Sequence, residues 1–180
     1  MERDFSPLAD TLADRGVDGY LIDADSKDSD QYYLSGFDAP DPFVTLYDGE
    51  VHLFFTRSLE FGRAKREADV ATVDRASNYD YRELAHEHGV RKASNRVLAS
   101  FLDEHDVDSV ATPPRFPLAT ADGIREHGIE VTADDEGSVT ELRATKTEPE
   151  IEHIRSAQAA NEAAMRRAQT MLEAASVDDT

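Results

Sequence analysis

Apolar positions recur along this chain with two different periods, and together they predict strands that alternate with helices. Short apolar runs bounded by charged or turn residues predict buried strands. The Asp48-Gly49 dipeptide lies between two such runs and is the strongest hairpin signal in the chain. The predicted strands are 17–22, 43–47, 51–55, 70–73, 109–112 and 129–132.

Apolar positions three and four residues apart predict helices between these strands, and capping residues mark their ends. Ser6-Pro7 begins a first helix that ends at Gly16, with Pro in the first turn and Gly after the last. Gly36 ends a short second helix, and Ser58 caps a third. The predicted helices are 6–16, 31–34, 58–68, 80–88, 94–105, 117–127, a short helix from 138, and 147–172.

The order of these elements predicts the fold class. One antiparallel hairpin lies inside an otherwise alternating order of strands and helices, which is typical of a three-layer α/β domain with a mixed sheet. An acidic linker at 133–137 follows the last strand, so we expect one domain at 1–137 and a helical segment at 138–180.

The last helix is predicted by local signals alone. Thr147 and Glu150 form a T-x-x-E capping box, and acidic side chains fill the first turn, where the helix dipole favours negative charge. Apolar or small residues then recur at helical spacing through Leu172, with Asn161 as the polar exception. The domain at 1–137 offers this face little to pack against, so we expect the face to be exposed, mobile or paired with a neighbouring chain.

Charge and composition narrow the function classes. The chain has 38 acidic and 19 basic side chains and a net charge of −19, which disfavours nucleic-acid binding. Molar salt would screen the resulting self-repulsion, so a halophilic source is expected, with an ordinary acidic mesophilic protein as the alternative. The absence of cysteine excludes disulfides and thiol catalysis. Without a secretory signal or a membrane-length apolar run, we expect a cytoplasmic protein that makes no contact with membranes.

Two clusters of titratable residues invite a metal interpretation that their spacing does not support. His86 and His88 are two residues apart, so on a helix their side chains diverge, and a helix-end position explains them better. The acidic run Asp23–Asp30 lacks the glycine and glutamate of a calcium loop, and we interpret it as a solvated loop. We therefore assign no catalytic and no metal-binding residue within this chain.

Two motifs resemble those of the prolidase, aminopeptidase P and creatinase family. One resembles the sequence that opens the family's C-terminal "pita-bread" catalytic domain: Leu142-Arg143-x-x-Lys146-x-x-x-Glu150-Ile151-x-x-Ile154-Arg155-x-Ala157. The other is similar to a motif of the family's N-terminal domain: Asp30-Gln31-Tyr32-Tyr33-Leu34-Ser35-Gly36-Phe37. Their order and separation extend the resemblance over essentially the whole chain.

The resemblance implies a creatinase/prolidase-type N-terminal domain at 1–137, with a mixed sheet of about six strands flanked by helices and a ribonuclease-H-like core. Residues 138–180 would then be a linker helix and the first helix of a truncated catalytic domain. The family binds two divalent metal ions (Mn, Co or Zn) through two Asp, one His and two Glu of the catalytic domain. No cofactor is expected in this chain, and the fragment is expected to be inactive alone.

The resemblance also implies what this domain does. We expect a non-catalytic domain that dimerises and shapes the substrate pocket of an Xaa-Pro peptidase, with the catalytic domain, a second copy and a peptide substrate as its partners. Residues Tyr33, Gly36, Phe37 and Asp38 are candidates for a loop that reaches the partner subunit's active site, Phe37 as a pocket wall and Asp38 as a contact to a free amine. The plainer interpretation is a helix end that turns at Gly36 and buries Leu34 and Phe37.

Two further points bear on these expectations. Relatives often place a His, an Arg or a large aromatic residue just after the glycine, and 38–42 offers none, which puts substrate preference in doubt. Arg143 and Lys146 match the family's basic pair at the domain junction, where they would tie linker carbonyls or carboxylates.

Two other functions remain open, a protein-binding module of a metal-free pita-bread homologue and the N-terminal domain of a creatinase-like amidinohydrolase.

Overall fold

The computed structural model describes residues 4–57 and 59–175. The chain forms two compact units, Met1–Arg143 and Ala144–Thr180. The strands are β1 Gly19–Ala24, β2 Phe43–Tyr47, β3 Val51–Phe55, β4 Thr72–Arg75, β5 Ser109–Thr112 and β6 Glu130–Ala133. The helices are α1 Ser6–Arg15, α2 Ser29–Ser35, α3 Phe61–Glu67, α4 Tyr81–His88, α5 Val90–Glu104, α6 Leu118–Arg125, α7 Ser138–Ala144 and α8 Glu148–Glu173.

The strands form one mixed sheet in the order β4-β3-β2-β1-β5-β6. The two pairs β1/β2 and β2/β3 are antiparallel, and the other three neighbouring pairs are parallel. The hairpin predicted at Asp48-Gly49 joins β2 to β3, with Tyr47 opposite Val51 and Gly49 at φ 118°. The predicted mixed sheet is therefore confirmed.

Helices cover both faces of the sheet. Each face has apolar side chains to bury, because successive side chains of a strand point to opposite sides. Leu21 and Phe54 belong to one core cluster, together with apolar residues of α5 and α6. Ile22 and Leu53 belong to the other cluster, with residues of α1, α2, α3 and α7. The predicted three-layer α/β fold is confirmed by these two cores on one sheet.

Several element boundaries differ from the predicted ones for local reasons. Strand β1 begins at Gly19, two residues later than predicted. Glycine suits this position because a Cβ atom there would lie 3.0 Å from Leu46 Cδ1 and 3.1 Å from the Tyr47 carbonyl oxygen. Helix α2 begins at Ser29, because the Asp28 carboxylate caps it by accepting the backbone N–H groups of Asp30 and Gln31. The predicted cap Ser58 lies outside the described residues.

The first unit continues to Arg143, past the boundary expected at 137. Val139 of α7 is fully buried in the core cluster that contains α1 and α2. Ser138 at the start of α7 donates its backbone N–H to the buried Asp134 carboxylate at 2.7 Å. Packing and hydrogen bonding thus make α7 part of the first unit.

The second unit is the helix α8, which begins with the predicted capping box. Glu150 Oε2 accepts the Thr147 backbone N–H at 2.8 Å, and Thr147 Oγ1 accepts the Glu150 N–H. None of the described residues of α8 is buried, and Ile154, Met165 and Leu172 are exposed. Over residues 4–57 and 59–175, the structure contains no helix with the length and apolar content needed to cross a bilayer.

Candidate functional site

The segment that follows α2 contains the predicted pocket residues, and its backbone turns sharply at Gly36. Gly36 adopts φ 62°, a conformation that favours glycine, and donates its N–H to the Tyr32 carbonyl at 2.9 Å. The Ser35 hydroxyl donates to the Gln31 carbonyl at 2.7 Å and accepts the Phe37 N–H at 3.1 Å. These bonds fix the direction in which the chain leaves the helix.

Phe37 fastens this turn to the domain core. Its side chain is only 2% exposed, and its ring makes edge contacts with Phe43 at 5.9 Å and Phe55 at 6.1 Å between centroids. The Arg63 guanidinium lies over the ring, 4.3 Å from its centroid. Phe37 and the fully buried Leu34 therefore pack as the plainer interpretation of this segment expects.

Asp38 is exposed, and its surroundings hold it in place. The Ser26 hydroxyl donates to Asp38 Oδ1 at 2.5 Å, and the Ser26 N–H donates to the Ala39 carbonyl at 3.1 Å. Arg63 donates to the Asp38 carbonyl while its Nε donates to Glu60 Oε2 at 2.9 Å. A surface carboxylate fixed in this way can accept hydrogen bonds from an ammonium group without first ordering its own loop.

Tyr33 of α2 contacts the N-terminal segment. It is half-buried, and its ring meets Phe5 edge-on at 6.0 Å between centroids. Of the four predicted pocket residues, Tyr33 thus contacts the N-terminal segment and Gly36 forms the turn. Phe37 lies in the core, and Asp38 has an exposed carboxylate.

Arg143 binds a buried carboxylate that the sequence analysis placed in a solvated loop. Asp30 is 4% exposed, and it accepts hydrogen bonds from Arg143 at 2.7 Å, from Arg115 at 2.6 Å and from the Thr140 hydroxyl. The solvated-loop interpretation was wrong here, because Asp30 lies in α2 and points at two guanidinium groups. Lys146 is exposed and lies in the second unit.

Two more carboxylates reinforce this region. Arg115 also binds Asp28, and although burial opposes the effect, this hydrogen bond lowers the pKa of Asp28 below its ordinary value. Asp134 is fully buried and binds Arg15 at 2.8 Å and the Tyr20 hydroxyl at 3.0 Å. Burial, followed by the Asp134 charge, raises the pKa of Tyr20. These contacts join α1 and β1 to Asp134 after β6, and α2 to Arg115 and to α7.

A second polar cluster lies at the hairpin end of the sheet, and the sequence analysis did not detect it. Asp48, His52 and His105 each bring a possible ligand atom within 4.8 Å of the others. Burial and then the neighbouring His52 lower the pKa of His105. Burial opposes ionisation of Asp48, but the hydrogen bond from His52 still lowers the pKa of Asp48. The one sequence signal was a histidine inside the apolar run of β3.

Ser26 and Arg63, which anchor the loop at Asp38, were also missed. They lie 12 and 25 residues from Asp38 along the chain, and neither belongs to a recognisable motif. His86 and His88, by contrast, lie at the end of α4 as expected, and among the described residues they belong to no cluster with metal-binding geometry.

Comparison with known proteins shows where this fold occurs. The model of the creatinase/prolidase N-terminal domain family matches residues 6–156. No curated protein matches the chain.

Solved structures of similar fold include an Xaa-Pro aminopeptidase from Streptococcus pyogenes, at 18% identity and a TM-score of 0.54, where the match covers 77% of this chain and 93% of that one. A proline dipeptidase from Streptococcus pneumoniae matches at 16% identity and a TM-score of 0.55, over 81% of this chain and 100% of that one. An Xaa-Pro aminopeptidase (aminopeptidase P) from Streptococcus thermophilus matches at 13% identity and a TM-score of 0.52, over 77% and 94%.

Proposed function

This chain belongs to the creatinase/prolidase N-terminal domain family, and we propose that it is the non-catalytic domain that dimerises and completes the substrate pocket of an Xaa-Pro peptidase. The observation that carries the proposal is the anchored loop after α2. Its residue Asp38 is exposed, while Ser26 donates to the Asp38 carboxylate and Arg63 donates to the Asp38 backbone carbonyl. A loop fixed before binding loses little entropy when it meets a substrate.

The substrate class explains why a separate domain helps. An Xaa-Pro bond has no N–H on its proline side, its φ is fixed, and both cis and trans forms are populated. A pocket must therefore select such peptides by shape and by their termini. In this proposal Asp38 accepts hydrogen bonds from the free amine of the substrate in the partner subunit, and the turn at Gly36 and Phe37 shapes the wall that supports it.

The metal-dependent step is assigned to a catalytic domain that follows this one. Two divalent metal ions (Mn, Co or Zn) would there polarise the scissile carbonyl and supply a hydroxide. The described residues of this chain do not fit that role. Their one candidate metal cluster has a single carboxylate and two imidazoles, whereas the dinuclear site expected from the resemblance has four carboxylates and one imidazole. The residues of this chain therefore bind and orient the substrate.

Activity measurements on this chain test the assignment of catalysis to another domain. After purification with a chelator, the chain is incubated with Ala-Pro or Gly-Pro and Mn²⁺ or Co²⁺, and we expect no hydrolysis. Turnover that persists in this preparation would contradict the proposal. The coding sequence beyond Thr180 separates the alternatives, since five metal ligands indicate a hydrolase, and their loss indicates a protein-binding homologue.

The role of Asp38 is tested in a protein that contains both this domain and the catalytic domain. Asp38→Asn is expected to raise KM at least about tenfold for peptides with a free amine, because a hydrogen bond to a charged group contributes about 1.5–3 kcal/mol. N-acetylated peptides should show no such change. Asp41→Asn, in the same loop, is the matched control. Equal effects of the two variants, or an equal effect on acetylated peptides, would exclude the contact.

A further inference from the structure

Three residues from separate parts of the first unit converge beside the β2–β3 hairpin. Asp48 follows β2 in the turn, His52 lies within β3, and His105 caps the C-terminal end of α5. Asp48 Oδ1 lies 3.0 Å from His52 Nε2, and Asp48 Oδ2 lies 3.6 Å from His105 Nδ1. The two imidazole rings are 4.0 Å apart between centroids. We propose that these three side chains bind one zinc ion.

The separations suit ligands of one tetrahedral metal ion. Zinc binds imidazole nitrogen and carboxylate oxygen at about 2.0–2.2 Å, so two ligand atoms of the same ion lie about 3.3 Å apart. The 3.0 Å and 3.6 Å separations, each from a different oxygen of the Asp48 carboxylate, fall on either side of this value. One ligand atom from each of the three residues lies within 4.8 Å of the others. The longer separation exceeds a normal hydrogen bond, so hydrogen bonding alone does not explain why His105 faces the carboxylate.

Outer contacts orient two of the three ligands. His52 Nδ1 lies 2.9 Å from Thr72 Oγ1 in the neighbouring strand β4. When zinc replaces the proton that Nε2 donates to Asp48, Nδ1 can donate to Thr72 while Nε2 presents its lone pair to the ion. Such a partner for the second ring nitrogen is usual for histidines that bind metals. Asp48 Oδ1 also accepts the Glu50 N–H at 3.1 Å, which fixes the carboxylate above the turn. The His52 side chain is only 5% exposed, which restricts its ring further.

The ligand set selects the class of ion. Two imidazoles and one carboxylate suit zinc and related borderline metals, whereas calcium and magnesium prefer sites made of oxygen atoms. Three protein ligands leave a fourth position for water. The ion also carries a charge that a chain of net charge −19 attracts. Bound there, it would tie the hairpin to the end of α5, joining His52 to His105, which are 53 positions apart in the sequence.

Calorimetric titration of the chelator-treated chain with zinc chloride tests the proposal. We expect saturable binding of one ion per chain and a higher melting temperature with zinc. Asp48→Asn keeps a favourable Asn-Gly hairpin turn, and His105→Gln changes a partly exposed helix end, so both variants should fold. Each should weaken zinc binding at least about tenfold, and Thr72→Val about tenfold through the orientation of His52.

The double variant His86→Gln/His88→Gln is the matched control, because it removes two exposed histidines of α4 and should leave zinc affinity unchanged. Cobalt(II) offers a second measurement, since a four-coordinate site gives visible absorption bands that His105→Gln should abolish. The proposal is overturned if the chain does not bind zinc, if His105→Gln binds it as tightly as the unmodified chain, or if the His86/His88 variant loses it.

Discussion

The two units of this chain fold by different means. In the first unit, the sheet buries side chains on both faces, and ion pairs such as Arg143–Asp30 join residues 113 positions apart. In the second unit, the helix α8 has no buried described residue, and its contacts are local, for example Glu162–Arg166 at 2.9 Å. The first unit therefore depends on tertiary packing, whereas α8 depends on caps and neighbouring turns.

This difference indicates what each unit requires from its surroundings. Capping and i,i+4 pairs each contribute only tenths of a kcal/mol to about one kcal/mol, and helices without tertiary packing are marginal in water. The exposed Ile154, Met165 and Leu172 offer an apolar face that a following domain could cover. The first unit, by contrast, buries its apolar side chains in two core clusters of its own.

The largest expected effect tests whether the core of the first unit carries its stability. Phe54 is fully buried and its ring lies 4.9 Å from that of Phe101, so Phe54→Ala should cost about 3–5 kcal/mol. Met165→Ala in α8 should change stability by less than about 0.5 kcal/mol. The protein has no tryptophan, and all of its tyrosines lie in the first unit, so tyrosine emission in a urea titration measures this unit alone. Similar losses of stability in Phe54→Ala and Met165→Ala would contradict the difference between the two units.

The next effect concerns the buried ion network. Asp30→Ala leaves Arg115 and Arg143 without their shared carboxylate, which should cost about 1.5–3 kcal/mol in the same titration. The two guanidinium groups are partly exposed, so water moderates the loss. Glu162→Ala breaks an exposed pair of α8 and should cost less than about 0.5 kcal/mol. If Asp30→Ala left the free energy of unfolding unchanged, the network would add no stability.

A smaller and more local effect is expected at the start of α8. Thr147→Ala removes the side-chain acceptor of the capping box and should destabilise the first turns by about 1 kcal/mol. Amide exchange at 148–155 should accelerate, while the strands remain unaffected. Thr147→Ser should restore slow exchange, and Thr170→Ala, near the other end of the helix, should leave these amides unchanged. If Thr147→Ala left the exchange rates at 148–155 unchanged, the capping box would not stabilise the first turns of α8.

Acid should affect both units through carboxylates whose pKa is lowered in the folded chain, among them Asp28 in the first unit and Glu150 in α8. Hydrogen bonds from Arg115 lower the pKa of Asp28 against the opposing effect of burial, and the Thr147 N–H lowers the pKa of Glu150. A lowered folded-state pKa stabilises above the unfolded-state value, and the contribution is lost as pH falls through the folded value. Stability of the first unit should therefore decline below about pH 3.8.

The variant Asp28→Asn isolates this contribution, since Asn also caps helices well. It should be less stable than the unmodified chain at pH 7, and this difference should shrink as pH falls through the lowered pKa of Asp28 in the folded chain. A constant difference across this range would contradict the assignment. Glu150→Gln, which can keep the capping box, should likewise make the exchange of the first turn of α8 less dependent on pH.

Local patterns predicted most of the fold. The Asp48-Gly49 hairpin and the Thr147 capping box were predictable because their determinants lie within a few residues of one another. The buried state of Asp30 was not, since its partners Arg115 and Arg143 lie 85 and 113 residues away. The sequence showed only an acidic run, and it takes the packed helices to bring guanidinium groups to it.

The candidate sites divide in the same way. Gly36 and Asp38 were recognisable from the motif that precedes the loop, but Ser26 and Arg63, which fix Asp38, depend on how α2 and α3 pack. The cluster of Asp48, His52 and His105 depends on the register of β3 and on the end point of α5. The expected salt adaptation, dimer and cytoplasmic location stay predictions.

Amide hydrogen exchange over the whole chain tests the central claim, that tertiary packing stabilises the first unit whereas local contacts stabilise α8. The account predicts that central amides of β1 and β2 exchange only on global unfolding of the first unit. Amides along α8 should exchange orders of magnitude faster in the same sample. Protection of α8 equal to that of β1 and β2 would contradict the claim.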